Sequence, residues 1–176
     1  HHIVKAITSA VGISCELGGG IRDESSIRLM LEDVGVGRVI IGTQALKDPA
    51  WFQKMAGLFP GKLVLGIDAR ESMVATEGWL DVSKTSAIEL AKQYSDLDLA
   101  ALIYTNIAND GMMQGVDEAT IDDMQELAKL GFNVIASGGV TTIDDVHRLK
   151  VANESTPTLD GIIIGRALYE GTIDVE

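Results

Sequence analysis

The feature that most constrains this chain is a regular beat of short apolar runs, each closed by Gly, Asp, Thr or Ser. The runs are ISCEL before Gly18, RVII before Gly42, KLVLGI before Asp68, ALIY before Thr105, FNVIA before Ser137 and GIII before Gly165. Their end positions are spaced by 24, 26, 37, 32 and 28 residues. Between them lie amphipathic stretches at helical period: 25–31, 50–58, 85–94, 120–130 and 143–149. Near-continuous apolar strands alternating with helices predict a parallel sheet covered on both faces. No linker or low-complexity segment divides the chain, so residues 1–176 read as one domain. The stretch 83–99 reads as a helix and its exit loop.

A doubly wound open sheet and a closed barrel both fit this pattern, and an internal repeat favours the barrel. GGGIRDESSIRLML (18–31) is followed by RVIIGTQAL (38–46), and SGGVTTIDDVHRLK (137–150) by GIIIGRAL (161–168). Gly19 and Gly20 match Gly138 and Gly139 at an offset of 119, and Gly42 matches Gly165 at 123. One strand–helix–strand module thus occurs twice, four strands apart, as expected of a (β/α)8 TIM barrel. About six of eight βα units are present. The chain opens in a helix-like segment, HHIVKAITSAVG, and stops after the last strand. The expectation is a partial barrel running from the second helix to just after the eighth strand, short of a typical barrel by roughly 60 residues.

The glycine turns suggest anion binding. Consecutive glycines between a strand end and a helix start let backbone N–H groups converge on an anion, and the helix N-terminus adds partial positive charge. Gly19 and Gly20 form such a turn, as do Gly138 and Gly139. Gly42 with Thr43, and Gly165 with Arg166, supply further N–H groups. Any one of these turns could need glycine for tightness alone; their pairing in a repeat points to a ligand with two phosphates. Arg22 and Arg166 are candidate phosphate partners, although Arg22 could equally pair with Asp23 or Glu24. A net charge of −12 repels nucleic acid and anionic membranes. Phosphate affinity must therefore be local. No run of about 18 apolar residues predicts a membrane span, and no signal peptide opens the chain. The single cysteine, Cys15, excludes an internal disulfide, fits a reducing cytosol, and reads as a buried, inert thiol.

Asp68 closes a strand in VLGIDAR. A carboxylate at the C-terminal end of a barrel strand points into the mouth, where desolvation can fit it for acid catalysis; it can instead cap the next loop. Thr105 ends the following strand and offers a hydroxyl to substrate or to its own loop. Asp110-Gly111 is a turn signal, yet it falls on a mouth loop where Asp110 can meet a ligand. Trp79 sits on the long loop after Asp68, where it can stack on a flat heterocycle or cover the core. The histidines have no ligand spacing, His147 reading as a helix-face residue, so no metal is expected.

Together, ELGGGIRDE, VIIGTQALKDP, LVLGIDAR, EGWLDVS, YTNIANDGMMQG, VIASGGVTTIDDV and IIIGRALYEG resemble the ProFAR isomerase family of histidine biosynthesis over almost the whole chain. The resemblance implies an Amadori rearrangement of an N-linked phosphoribosyl aldose to the ketose, without metal or cofactor, in the cytoplasm and in a monomer. It implies that Asp68 is the acid opening the ribose ring, that Thr105 contacts substrate, and that the glycine modules grip the two phosphates. The family's other Asp, the base at the end of the first strand, has no match here, so the 176-residue chain by itself is expected to be inactive. Four positions depart from the family pattern: Asn106 where Asp is usual, with a changed hydrogen bond expected; Glu71-Ser72 where Asp-Gly is common; and Glu77 where dual-specificity relatives carry Arg. The rival readings are the sister cyclase of the same pathway and, for a naturally short chain, a non-catalytic phosphate-binding module.

Overall fold

The computed structural model describes residues 1–76, 81–155 and 159–174. The chain forms two compact units, His1–Gly66 with Leu97–Ala100, and Ile67–Asp96 with Ala101–Glu176.

The first unit begins with α1 (His2–Ala10) and β1 (Glu16–Gly18). Helix α2 (Glu24–Arg28) runs into a π-helical turn, Leu29–Val34, and β2 (Arg38–Ile41) follows. The short α3 (Thr43–Lys47) and α4 (Pro49–Leu58) lead to β3 (Leu63–Arg70). β1 and β2 are parallel with Leu17 opposite Val39, and β2 and β3 with Ile40 opposite Val64. Asp23 caps α2 by accepting the Ser26 N–H at 2.7 Å, and the π turn ends at Gly35 in the left-handed region, the conformation glycine adopts without strain. Ile27, Met30 and Val34, one stripe of the helix, are buried, as are Val39, Ile41, Leu63 and Leu65 on the strands. Asp48 caps α4 through the Trp51 N–H with Pro49 in its first turn, and Phe52, Met55 and Ala56 form its buried face. Helix α1 is a helix as expected, but none of its residues is buried. Cys15, expected to be buried, is only half-buried, because β1 starts at Glu16 and leaves the thiol on the link before the strand.

The second unit holds the rest of β3 and a hairpin of β4 (Met73–Thr76) and β5 (Asp81–Ser86). Then come α5 (Ala87–Lys92), β6 (Ala101–Asn106), α6 (Glu118–Lys129), β7 (Val134–Ser137), α7 (Ile143–Ser155), β8 (Leu159–Ile162) and α8 (Arg166–Tyr169). β6 and β7 are parallel, with Thr105 opposite Ser137, and so are β7 and β8. The Ile107 N–H donates to the Ala69 carbonyl at 3.0 Å, bringing the C-terminal ends of β3 and β6 side by side. Ala101 to Thr105 are all buried, the pattern of a parallel strand covered on both faces. Met124, Leu127 and Ala128 of α6 and Leu90, Ala91 and Tyr94 supply the helical side of that core.

Parallel strands alternating with helices in six βα units, among the described residues, make this an α/β fold, a partial (β/α)8 barrel. A second expectation fails. The long loop after Asp68 is a hairpin, and β5 occupies Thr85 and Ser86, where the sequence pattern starts a helix. A capping box sets the helix start later: the Ser86 hydroxyl accepts the Glu89 N–H at 3.1 Å while Glu89 accepts the Ser86 N–H at 3.1 Å. β3 also pairs antiparallel with β4, Arg70 opposite Met73, which leaves a two-residue turn in which Glu71 has φ +51° and Ser72 φ +62°. Such a turn favours Asp-Gly or Asn-Gly.

Candidate active site

Each glycine module places its glycines between a strand end and a helix start, as the repeat implies. Gly19 and Gly20 have φ +103° and +71°, and Gly138 and Gly139 have +82° and +95°. The repeat extends to the second turn. Gly42 has φ −108° and ψ −100°, and Gly165 has φ −103° and ψ −102°, an uncommon backbone state outside the broad allowed regions. Both precede a short helix.

In the second unit these turns build a pocket of about 350 Å³, counting its open mouth. Its lining includes Asp110, Gly138, Gly139, Gly165 and Arg166 from the sequence reading, joined by Asn109 and Thr141. Among the described residues no protein acceptor takes the Gly139 or Gly165 N–H. Arg166, at the start of α8, donates through Nη1 to the Gly111 carbonyl at 2.9 Å and through Nε to Glu170 at 3.0 Å. It therefore also ties the loop after β6 to the start of α8. Asp110 is exposed at the rim, with its own N–H donated to the Asn106 carbonyl at 3.0 Å. Hydrogen-bond donors around an open concavity suit an oxyanion.

Packing makes glycine mandatory here. A Cβ on Gly138 would lie 2.5 Å from the Asn106 carbonyl oxygen, and one on Gly139 would lie 2.8 Å from that of Gly115. The loop after β6 presses on the turn and is itself pinned. The Asn109 amide donates to the Gly115 carbonyl at 3.3 Å and to Asp117 at 2.9 Å. The Asn106 amide donates to Asp117 at 3.2 Å and to the Thr120 hydroxyl at 2.7 Å. The changed bond expected at Asn106 is thus a donated one, which an ionised Asp there has no proton to make. Burial pushes the Asp117 carboxyl up, but hydrogen bonds from Thr120, Asn109 and Asn106 outweigh it and hold it below the usual carboxylate value.

Asp68 is half-buried near the C-terminal end of β3, two residues before the strand ends at Arg70. Thr105 is buried at 8% exposure beside the end of β6. Neither lines the pocket of the glycine turns. Trp79 and Glu77 lie outside the described residues. In the first unit Gly19, Gly20, Arg22 and Thr43 are exposed. The carboxylates offered as alternative partners of Arg22 are engaged elsewhere: Asp23 accepts the Ser25 hydroxyl at 2.6 Å, and Glu24 pairs with Arg28 at 2.9 Å. Gly42 packs against the strand below, where a Cβ would come within 3.3 Å of the Gly66 carbonyl.

The sequence matches the Histidine biosynthesis protein family over residues 1–174. The chain belongs to this family. Among individual proteins of the histidine biosynthesis family it is 48% identical over 172 residues to one from Acidiphilium cryptum, covering 97% of this chain and 68% of that protein. It is 49% identical over 175 residues to one from Hahella chejuensis, covering 98% and 69%. It is 44% identical over 174 residues to one from Rhodopirellula baltica, covering 98% and 66%. All three are named 1-(5-phosphoribosyl)-5-((5-phosphoribosylamino)methylideneamino)imidazole-4-carboxamide isomerase. No helix among the described residues is long and apolar enough to cross a membrane.

The sequence reading missed the residues that brace the pocket: Asn109, Thr141, Asp117 and Asp145. For Asp145 a signal existed. Thr142-x-x-Asp145 before an apolar helix has the spacing of a capping box.

Proposed function

We infer that this protein is a ProFAR isomerase, converting the N-linked phosphoribosyl aldose of histidine biosynthesis to its ketose. The observation that carries this is identity of 48% to a relative of that name over 97% of the chain, which takes in every motif of both glycine modules and of Asp68. The relatives' name contains two phosphoribosyl groups, and each module supplies one grip of backbone N–H groups for a phosphate.

Asp68 is assigned as the acid. In an Amadori rearrangement the ring oxygen takes a proton and its bond to the anomeric carbon breaks, leaving a C=N bond to the exocyclic nitrogen. Loss of the proton on the adjacent carbon then gives an enaminol; protonation of the former anomeric carbon and loss of the hydroxyl proton from the adjacent carbon leave the ketone, so the proton taken up by the ring oxygen is balanced and the change is redox-neutral. A half-buried carboxyl at a strand end is suited to the first proton transfer. In this reading Thr105 orients the sugar and Trp79 is the residue to stack on the imidazole. The expected partner is the bis-phosphorylated small molecule alone. The expected setting is the cytoplasm, with the protein a monomer and no nucleic acid bound, consistent with its charge of −12.

The test is ProFAR turnover by the protein at its natural coding length, with Asp68→Asn beside it. The expected result is conversion to the ketose, falling by about 10²-fold or more in the variant with substrate affinity kept. Undiminished turnover in Asp68→Asn would remove Asp68 from the chemistry, and no conversion by the wild type would remove the function.

A further inference from the structure

Asp145 is a buried carboxylate, 6% exposed, which the proposed chemistry does not use. It sits in the first turn of α7 and does not itself line the glycine pocket. One oxygen accepts the N–H groups of Thr141 and Thr142, each at 3.0 Å. The other accepts the Val116 N–H at 3.0 Å, from 29 residues away in the loop after β6. The bonds to Thr141 and Thr142 are those of a local helix cap. The bond to Val116 is not, because no helix end needs it.

The contacts beyond Asp145 lead to the pocket. The Thr141 hydroxyl donates to the Gly139 carbonyl at 2.8 Å and accepts the Gly115 N–H at 3.2 Å. Gly115 packs so closely that a Cβ there would lie 3.0 Å from the Asp145 carboxylate. Arg148, 3.8 Å from Asp145, donates to the Val116 carbonyl and pairs with Glu118 at 2.6 Å. A single carboxylate therefore fixes the Gly138–Thr142 turn against the loop carrying Asn109 and Asp110.

We propose that Asp145 is a positioning residue for phosphate binding: it sets the spacing between the glycine turn and the loop after β6, and so aims the pocket's N–H groups at the anion. The proposal rests on the reading of this pocket as a phosphate grip. It makes a prediction whose sign differs from that of simple charge. Removing a negative charge near an anion site tightens anion binding; losing the alignment of preorganised donors weakens it.

The experiment is a titration of the wild type, Asp145→Asn and Asp144→Asn with inorganic phosphate, followed by the backbone amide signals of Gly138, Gly139 and Gly165. Asp144 lies in the same helical turn and is exposed, so its variant removes the same charge without the three N–H bonds. The expected result is a dissociation constant raised about tenfold or more in Asp145→Asn and not raised in Asp144→Asn. Equal or tighter binding by folded Asp145→Asn overturns the positioning role while leaving the phosphate grip standing. Absence of a saturable shift in the wild type overturns the grip, and the proposal with it. Hydrogen exchange of the wild type covers the case in which Asp145→Asn does not fold. Phosphate is expected to slow exchange of the Val116 N–H, and protection confined to residues 138–140 overturns the proposal.

Discussion

The two glycine modules share a backbone and differ in what surrounds it. Their paired glycines adopt positive φ, and Gly42 and Gly165 agree in both φ and ψ within 5°. Yet a Cβ on Gly19 or Gly20 would meet nothing within 4 Å, whereas one on Gly138 or Gly139 would collide with backbone oxygen. The helix that follows is capped in opposite senses. In the first module the carboxylate is at the cap and accepts the N–H three residues on, Asp23 from Ser26. In the second it is three residues on and accepts back, Asp145 from Thr142. Asp23 is exposed and serves its helix alone, while Asp145 is buried and reaches a distant loop. The lesson is that one glycine turn can be held by its own conformation or by a packed neighbour, and only the second transmits a change elsewhere in the chain.

The largest test of that contrast is alanine at matched glycines. Gly138→Ala should cost about 3 kcal/mol or more, since it adds a clash to the strain of positive φ. Gly19→Ala, strained but unobstructed, should cost about 1–2 kcal/mol. Urea denaturation checks both, and equal losses would break the comparison. Next, Asp145→Ala leaves three N–H groups without their acceptor and should cost about 2–4 kcal/mol. Asp23→Ala should cost less, as an exposed cap.

The acid limb of stability sharpens the same point. Burial pushes the Asp145 carboxyl up, but the N–H groups of Val116, Thr142 and Thr141 outweigh it and hold it below the usual value. A carboxyl whose folded pKa is depressed stabilises the fold above its unfolded pKa of about 3.9, and that contribution is lost as pH falls through the lower folded value. The wild type should therefore lose stability below about pH 4, and Asp145→Asn should lose less over that window. Thermal melts across pH 2 to 6 (approximate limits set by the carboxylate range) read this directly.

Asn106→Asp is a smaller perturbation. It places a second carboxylate against Asp117, beside solvent, and should cost about 1 kcal/mol at neutral pH. The loss should recede as pH falls through the carboxylate range, as melts of the variant would show. The smallest effect has the opposite sign and lies outside both modules. Glu71→Asn with Ser72→Gly relieves two left-handed residues and should add about 1 kcal/mol, read as a higher urea midpoint.

Much of this was legible in the sequence. The strand ends at Gly18, Ile41 and Ser137 fall where the apolar runs stop, most plainly at β7, which is buried along its whole length and so leaves a continuous signal. The repeat was visible because its glycines are required by backbone conformation. The antiparallel turn from β3 into β4 was not, since its two residues, Glu71-Ser72, are none of those that such turns prefer. Asp145 and Asp117 were hidden for another reason: each draws its meaning from partners far along the chain or across a loop, and a spacing rule sees only their local caps. Asn106 was flagged as a departure, but its reason, a donated bond to Asp117, needed the fold.

The measurement that tests the account most directly is an amide-resolved titration of both modules with inorganic phosphate. The account predicts saturable shifts at Gly138, Gly139 and Gly165, and also at Gly19, Gly20 and Gly42, because the shared backbone is what binds the anion. Shifts at Gly138, Gly139 and Gly165 alone would contradict it, and would make the first module a repeat of structure without a repeat of function.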